Sequence, residues 1–290
     1  MKSGFIAVIG KTNAGKSSLI NRLVGTKVAI VSPKPQTTRM KTLGILNEEN
    51  LQIAFVDTPG FVRPTSKLNQ YMSRSIESAE SGVDGVLFVV DGNKAITDDD
   101  IKKIESVKVP VVIAFNKMDL ITYEKAFPKL DKLNKVDAVI VPVSAKTGKN
   151  IAELKREIEK IIPEGPALFD TQDYTDKPVR FIVSELIREK ILWLLNDEVP
   201  HGVHVEIVTF DESDKKAVIS ADIICEKESH KPIIIGRGGA QLKEIGEKAR
   251  LDVEKLLGKK VYLELFVKIR ENWRENDNLL KSFGFDKKQL

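Results

Sequence analysis

Residues 10–17, Gly-Lys-Thr-Asn-Ala-Gly-Lys-Ser, follow the apolar run Phe5-Ile6-Ala7-Val8-Ile9 and open an amphipathic segment at Ser18-Leu19-Ile20-Asn21-Arg22-Leu23. A GxxxxGKS loop between a strand and a helix curls its backbone N–H groups around a β-phosphate. Gly10, Lys11, Thr12, Asn13, Ala14, Gly15 and Ser18 supply that backbone cradle. Lys16 reaches the β- and γ-phosphates, and the Ser17 hydroxyl is placed to ligate Mg²⁺. The chain therefore begins as a nucleotide-binding α/β domain.

At 290 residues, with 42% hydrophobic and 30% charged residues, two domains are expected. No basic-then-apolar leader precedes the first strand, and no apolar run approaches the roughly 18 residues needed to span a bilayer, so a cytoplasmic location is expected. The single cysteine, Cys225, sits in an apolar stretch and reads as a core residue, which excludes a disulfide framework. His201, His204 and His230 have no metal-site spacing. The net charge of +4 suggests nucleic acid, but residues 1–175 hold 25 Lys+Arg against 21 Asp+Glu and residues 176–290 hold 21 against 21. The excess lies in the nucleotide-binding half, so RNA binding must be argued from local geometry.

Three further apolar runs end in polar motifs. Leu51–Val56 delivers Asp57-Thr58-Pro59-Gly60, where a strand-end carboxylate reaches Mg²⁺ and a side-chain-free residue lets its N–H meet a γ-phosphate. Taken alone, DTPG is a proline turn. Val109–Phe115 ends in Asn116-Lys117-Met118-Asp119. The Asp119 carboxylate accepts from guanine N1–H and N2–H₂, donors that adenine lacks, so this tetrad selects guanine. Asn116 braces the loop and guanine N7, and the Lys117 stem lies over the base or sugar. Val139–Val143 then delivers Ser144-Ala145-Lys146, whose backbone donates to guanine O6.

Together these four motifs resemble the first, third, fourth and fifth motifs of the translation-factor class of P-loop GTPases. Between them, the Thr-Thr-Arg within Ser32-Pro33-Lys34-Pro35-Gln36-Thr37-Thr38-Arg39 resembles the second motif of the branch that contains the bacterial ribosome-assembly GTPases. The resemblance implies that one threonine closes over Mg²⁺ and the γ-phosphate, Thr38 being the first choice and Thr37 the second. Lys16, Thr38, Gly60 and Asn13 form the implied catalytic set, with Ser17, Thr38 and Asp57 at the metal. Phe61 stands where many signalling GTPases carry a water-orienting glutamine, and an apolar ring cannot orient water, so slow intrinsic hydrolysis is expected. Asn13 resembles the asparagine with which related GTPases bind K⁺, so K⁺ stimulation is expected.

Pro163-Glu164-Gly165-Pro166 punctuates the chain. The expected organisation is a GTPase domain over residues 1–165, a linker over 166–178 and a second domain over 179–290. In that second domain a helical pattern from Phe181 to Leu195 precedes two alternating strands, Val203–Phe210 and Ala217–Cys225. Two helices flanking Gly236-Arg237-Gly238-Gly239 and a last strand, Val261–Ile269, complete an α-β-β-α-α-β order. This order around a GxxG resembles a KH domain of the bacterial type (type II, α+β). It implies single-stranded RNA laid on Ile235, Gly236, Arg237, Gly238 and Gly239, with Lys231, Arg237 and Lys243 pairing with phosphates. Trp193 and Trp273 sit in amphipathic contexts and are expected to pack in the core.

The combination implies a mostly parallel P-loop GTPase sheet followed by a KH domain, a GTP/GDP switch that binds the 3′ end of 16S rRNA and assists assembly of the 30S subunit. Peripheral membrane contact and a monomeric state belong to the same expectation. The alternatives are a membrane-associated or signalling GTPase whose second domain binds protein, and a P-loop kinase, which the guanine-selecting tetrad opposes.

Overall fold

The first apolar run becomes β1 (Lys2–Ile9), whose side chains alternate between two cores. Ile6 and Val8 point into one cluster, Ala7 and Ile9 into the other, as expected for a strand buried on both faces. In chain order there follow α1 (Lys16–Val24), β2 (Thr42–Glu48), β3 (Leu51–Asp57), α2 (Lys67–Ala79), β4 (Gly85–Asp91) and α3 (Asp98–Glu105). Next come β5 (Val111–Asn116), α4 (Tyr123–Leu133), β6 (Val139–Pro142) and α5 (Ile151–Ile161). The strands form one sheet in the order β2-β3-β1-β4-β5-β6, parallel except for the β2/β3 pair. Leu19, Ile20 and Leu23 of α1 and Leu154 and Ile158 of α5 fill the core on one face. Ile104 of α3 and Ala126 and Leu133 of α4 fill the other.

The computed structural model describes residues 1–61 and 64–286 and divides into two units. Val62 and Arg63, which follow the DTPG motif and Phe61, lie outside the described residues. The first unit comprises Met1–Ala29, Thr38–Arg63 and Met72–Asp176, and the second Ile30–Thr37, Pro64–Tyr71 and Lys177–Leu290. Much of the stretch read from sequence as linker belongs to the first unit. Gln52 accepts the N–H groups of Leu168 and Phe169 at 2.6 and 2.9 Å, the Ile45 N–H donates to Tyr174 O at 2.9 Å, and the Leu43 N–H to Asp176 Oδ1 at 2.8 Å.

In the second unit, α6 (Val179–Leu194) is followed by β7 (His204–Glu212), β8 (Lys216–Cys225), α7 (His230–Ile235), α8 (Ala240–Leu257), β9 (Lys260–Ile269) and α9 (Asp277–Ser282). The sheet order is β7-β8-β9, antiparallel then parallel. Val183, Ile187 and Ile191 of α6 and Ile245, Ala249 and Val253 of α8 pack on its inner face, and Cys225 lies in the same core. Trp273 is fully buried and donates through Nε1 to Gly202 O at 2.9 Å. Trp193 corrects the expectation from sequence, since it is 56% exposed and its indole N–H reaches Val31 O at 2.8 Å. A tryptophan can satisfy its donor and stay half in water, which helical periodicity does not reveal.

Candidate functional site

The site of the first unit is assembled at the C-terminal ends of β1, β3, β5 and β6, where a parallel sheet leaves its crevice. Gly15 ends the loop after β1 at φ +98°, a conformation that side chains avoid, and caps α1. The Lys16 ammonium folds back over the loop, donating to Gly10 O at 3.0 Å and Lys11 O at 3.2 Å. Gly60 approaches the loop so closely that an added Cβ would lie 2.7 Å from Thr12 N and Cα. A backbone bridge between Lys11 and Phe61 holds the two segments side by side.

Ser17, Thr38 and Asp57 converge. The Ser17 hydroxyl donates to Asp57 Oδ2 at 2.8 Å and lies 3.0 Å from Thr38 Oγ1, itself 3.3 Å from Asp57 Oδ2. The neighbouring Thr37 hydroxyl turns away, donating to Lys34 O at 2.8 Å. Asp57 is 1% exposed and its Oδ1 is buried with no hydrogen-bond partner, so the donor set fits a hard cation. Burial pushes the Asp57 carboxyl up to about 6 against the pull of Lys16 and the two hydroxyls. Burial likewise draws the Lys16 ammonium down to about 8, with Asp57 resisting. Two buried charges in this state gain from a charged ligand that brings its own counter-ion.

The motifs over 116–119 and 144–146 form a second cluster. Asn116 Nδ2 donates to Ala14 O at 2.9 Å and its Oδ1 accepts from Ala145 N at 3.0 Å, so one amide ties three motifs together. Ser144 Oγ donates to Asp119 Oδ1 at 2.6 Å and orients that carboxylate. Lys117 Nζ donates to Asn13 O at 2.6 Å and to Asp91 Oδ2 at 2.7 Å. Met118 is a buried core side chain, Thr58 Oγ1 donates to Val8 O at 2.8 Å, Pro59 is buried beside it, and Lys146 is exposed. Ser18 lies in the first turn of α1, and the half-buried Phe61 ring sits 6.5 Å from that of Phe88. Asp91 and Arg22 escaped the sequence reading. Asp91 ends β4 as Asp57 ends β3, a signal that was available. Arg22 donates to Ala145 O and Lys146 O at 3.1 and 2.8 Å, a contact across the fold that no local pattern announces.

In the second unit, Gly236, Gly238 and Gly239 hold φ of 73°, 60° and 81°, so the Gly236–Gly239 turn uses conformations that side chains disfavour. Gly239 and Lys243 line a groove of about 380 Å³ with Leu242, Arg250, Leu263 and Leu265. Arg237 is exposed at the turn. Lys231 and Ile235, half-buried in α7, do not line that groove. Arg250 does, and was not anticipated.

A GxxxxGKS loop, an Asn-Lys-Met-Asp tetrad and a strand-end DTPG on a P-loop sheet, with a GxxG turn in an α/β unit beyond, define a GTPase joined to a KH domain. Residues 5–117 match the 50S ribosome-binding GTPase family, and residues 198–274 match the KH domain family. The chain is 45% identical to GTPase Era of Alkaliphilus oremlandii and 44% to that of Clostridioides difficile, over 98% and 99% of this chain and 99% of each relative. It superposes on a variant of Aquifex aeolicus Era bound to GDP·AlF₄⁻ with a TM-score of 0.94 at 39% identity, covering 98% of this chain and 99% of the other. A structure of Era with MgGDPNP and nucleotides 1506–1542 of 16S ribosomal RNA gives a TM-score of 0.93 at 39% identity, with the same coverage. The chain belongs to the Era GTPase family. It hydrolyses GTP, and Mg²⁺ accompanies the nucleotide.

Proposed function

We propose that this GTPase controls the binding of its KH domain to the single-stranded 3′ end of 16S rRNA and so assists 30S assembly. The observation that carries the nucleotide chemistry is the convergence of the Ser17 and Thr38 hydroxyls on Asp57 Oδ2, beside a buried Asp57 Oδ1 that lacks a hydrogen-bond partner. Ser17, Thr38 and Asp57 hold Mg²⁺, directly or through water. When bound, the ion neutralises charge on the β- and γ-phosphate oxygens. Lys16 supplies a desolvated positive charge to the phosphates, worth more there than in water. Gly60 presents an N–H to the γ-phosphate where any side chain would collide with Thr12. Asp119, held by Ser144, accepts from guanine, and Asn116 with the backbone of 144–146 frames the base.

Phe61 has no polar atom with which to orient water, so unassisted turnover is slow, and Asn13 takes part in K⁺ binding that adds positive charge beside the phosphates. RNA lies along the groove beside Gly236–Gly239, with Lys231, Arg237 and Lys243 countering phosphates. The GTPase domain occupies residues 1–165 and the KH domain 179–290. The protein acts as a monomer in the cytoplasm, with peripheral contact at the inner membrane face. Among the described residues no helix is long and apolar enough to cross a membrane.

The test is steady-state GTP hydrolysis in K⁺ and in Na⁺, with and without an oligonucleotide copying the 3′ end of 16S rRNA. The expected result is K⁺-dependent turnover, raised several-fold by RNA, with the RNA effect lost in Gly238→Asp. That position suits the substitution, because a Cβ there meets nothing within 4 Å and aspartate tolerates positive φ. Hydrolysis indifferent to RNA refutes the coupling, and equal rates in K⁺ and Na⁺ refute the role of Asn13.

A further inference from the structure

Helix α8 carries a glycine in its interior that the fold itself does not require. Gly246 lies well inside Ala240–Leu257, and glycine there is unfavourable relative to alanine, because it loses more backbone freedom on folding and adds no side chain to pack. Neither of the usual structural reasons for a glycine applies. The residue is absent from the positions that hold a positive φ, so its conformation suits alanine equally well. Outside the helix's own backbone, a Cβ built on it would come within 4 Å of one atom among the described residues, Leu265 Cδ1 at 3.5 Å, an ordinary van der Waals contact. Where α8 needs a small side chain for packing it uses alanine, as at the fully buried Ala249.

The room left at Gly246 opens into the groove of about 380 Å³. Leu242, Gly246 and Arg250, spaced by four on α8, form one wall of that groove, and Leu263 and Leu265 of β9 form the other. The bare position is therefore the middle of the helical wall. At its far end Arg250 is held in place, since its Nη1 donates to Glu254 Oε1 at 3.0 Å and the same oxygen accepts the Val261 N–H at 3.1 Å. Glu247, exposed, stands at the rim beside the bare position. A helix interior uses its N–H groups in its own hydrogen bonds, so Gly246 offers nothing to a phosphate. What suits the room is a flat group with apolar faces for the leucines and a polar edge for Glu247 and Arg250. A nucleobase has that chemistry.

We infer that Gly246 sets the depth of the groove for one nucleobase, which lies against the α8 backbone between Leu242 and Arg250 and faces Leu263 and Leu265. The inference rests on the proposed reading of this groove as the RNA site. The Gly236–Gly239 turn then serves phosphates, while Gly246 serves a base. Helix stability is given up for binding at this position, so the two quantities move in opposite directions when the glycine is replaced.

The experiment measures both on the full chain, with a fluorescent single-stranded oligonucleotide copying the 3′ end of 16S rRNA as the probe. Gly246→Ala is expected to raise by about 4 °C the midpoint of the unfolding transition that the oligonucleotide shifts. It is also expected to weaken the oligonucleotide about tenfold, the effect of crowding a filled site by one methyl group, and Gly246→Leu is expected to weaken it further. A series of oligonucleotides, each abasic at one nucleotide, locates the base, because at one position wild type and Gly246→Ala should bind alike. A lower midpoint in Gly246→Ala, undiminished affinity, or the same loss against every abasic oligonucleotide overturns the inference and leaves the RNA site standing. A wild type that does not bind the oligonucleotide overturns the RNA reading and the inference with it.

Discussion

Gly15→Ala tests how tightly the phosphate loop is locked. The residue sits at φ +98°, where an alanine stores about 1–2 kcal/mol of backbone strain. Its Cβ would stand 2.3 Å from Asn116 Nδ2, a distance that no real side chain keeps. Asn116 is 2% exposed and must move, giving up its bonds to Ala14 O and from Ala145 N, each worth about 1 kcal/mol net. The sum is about 3–4 kcal/mol, roughly half strain and half lost bracing. A double-mutant cycle separates the halves, since in an Asn116→Ala background the obstructing amide is gone and Gly15→Ala retains only the strain, about 1–2 kcal/mol. The assay is urea unfolding of nucleotide-free protein, followed through the transition that GDP shifts to higher denaturant, because a two-unit chain need not unfold in one step. A Gly15→Ala penalty below about 1 kcal/mol, or one of equal size with and without Asn116, refutes the reasoning.

Two other outcomes follow from the site. Asp119→Asn converts an acceptor into a donor opposite guanine N2–H₂, so GTP affinity should fall about a hundredfold and xanthosine triphosphate should gain, with retained GTP preference refuting the base-reading role. In nucleotide-free protein Asp57 holds its proton to about 6 against 3.8 for the free group. The native state then binds more protons than the unfolded state between those values, so this group's contribution to stability falls as pH rises from about 4 to 6. Lys16 sheds its proton at about 8 against 10.5, and its contribution rises over that range. Denaturation midpoints of wild type minus Asp57→Asn across pH 4–7 read the first slope, and parallel curves would contradict it.

The elements of the site were legible because each motif terminates an apolar run. Strands of a parallel sheet are buried on both faces and appear as unbroken Val/Ile/Phe stretches, and the polar tetrads at their ends stand out. Even so, β5 begins at Val111 rather than Val109, since Pro110 has no N–H and serves the sheet only by accepting from Val86 N at 2.9 Å. Neither β2 nor β4 was singled out, although Gly85–Asp91 has the same form as β3. What no local pattern carries is the long-range pairing. Lys11 donates to Asp100 Oδ2 at 2.7 Å across 89 residues, Lys117 finds Asp91, and Trp193 finds Val31 at the other end of the chain. The Pro and Gly around 163–166 fall just after α5 ends at Ile161, yet polarity alone does not distinguish a free connector from one whose carbonyls are already engaged.

That engagement bears on the edge of the first unit's sheet. β2 is the outermost strand of the six-stranded sheet, and an uncovered edge is a template on which another chain can add a strand. The backbone donors of Leu43 and Ile45 and the side chain of Asn47 are instead taken by Asp176, Tyr174 and Asp173. The segment that leads out of the GTPase domain thus doubles as a guard along its sheet. A fragment ended at residue 165 would keep every nucleotide motif and lose this cover, leaving an antiparallel edge open to self-association.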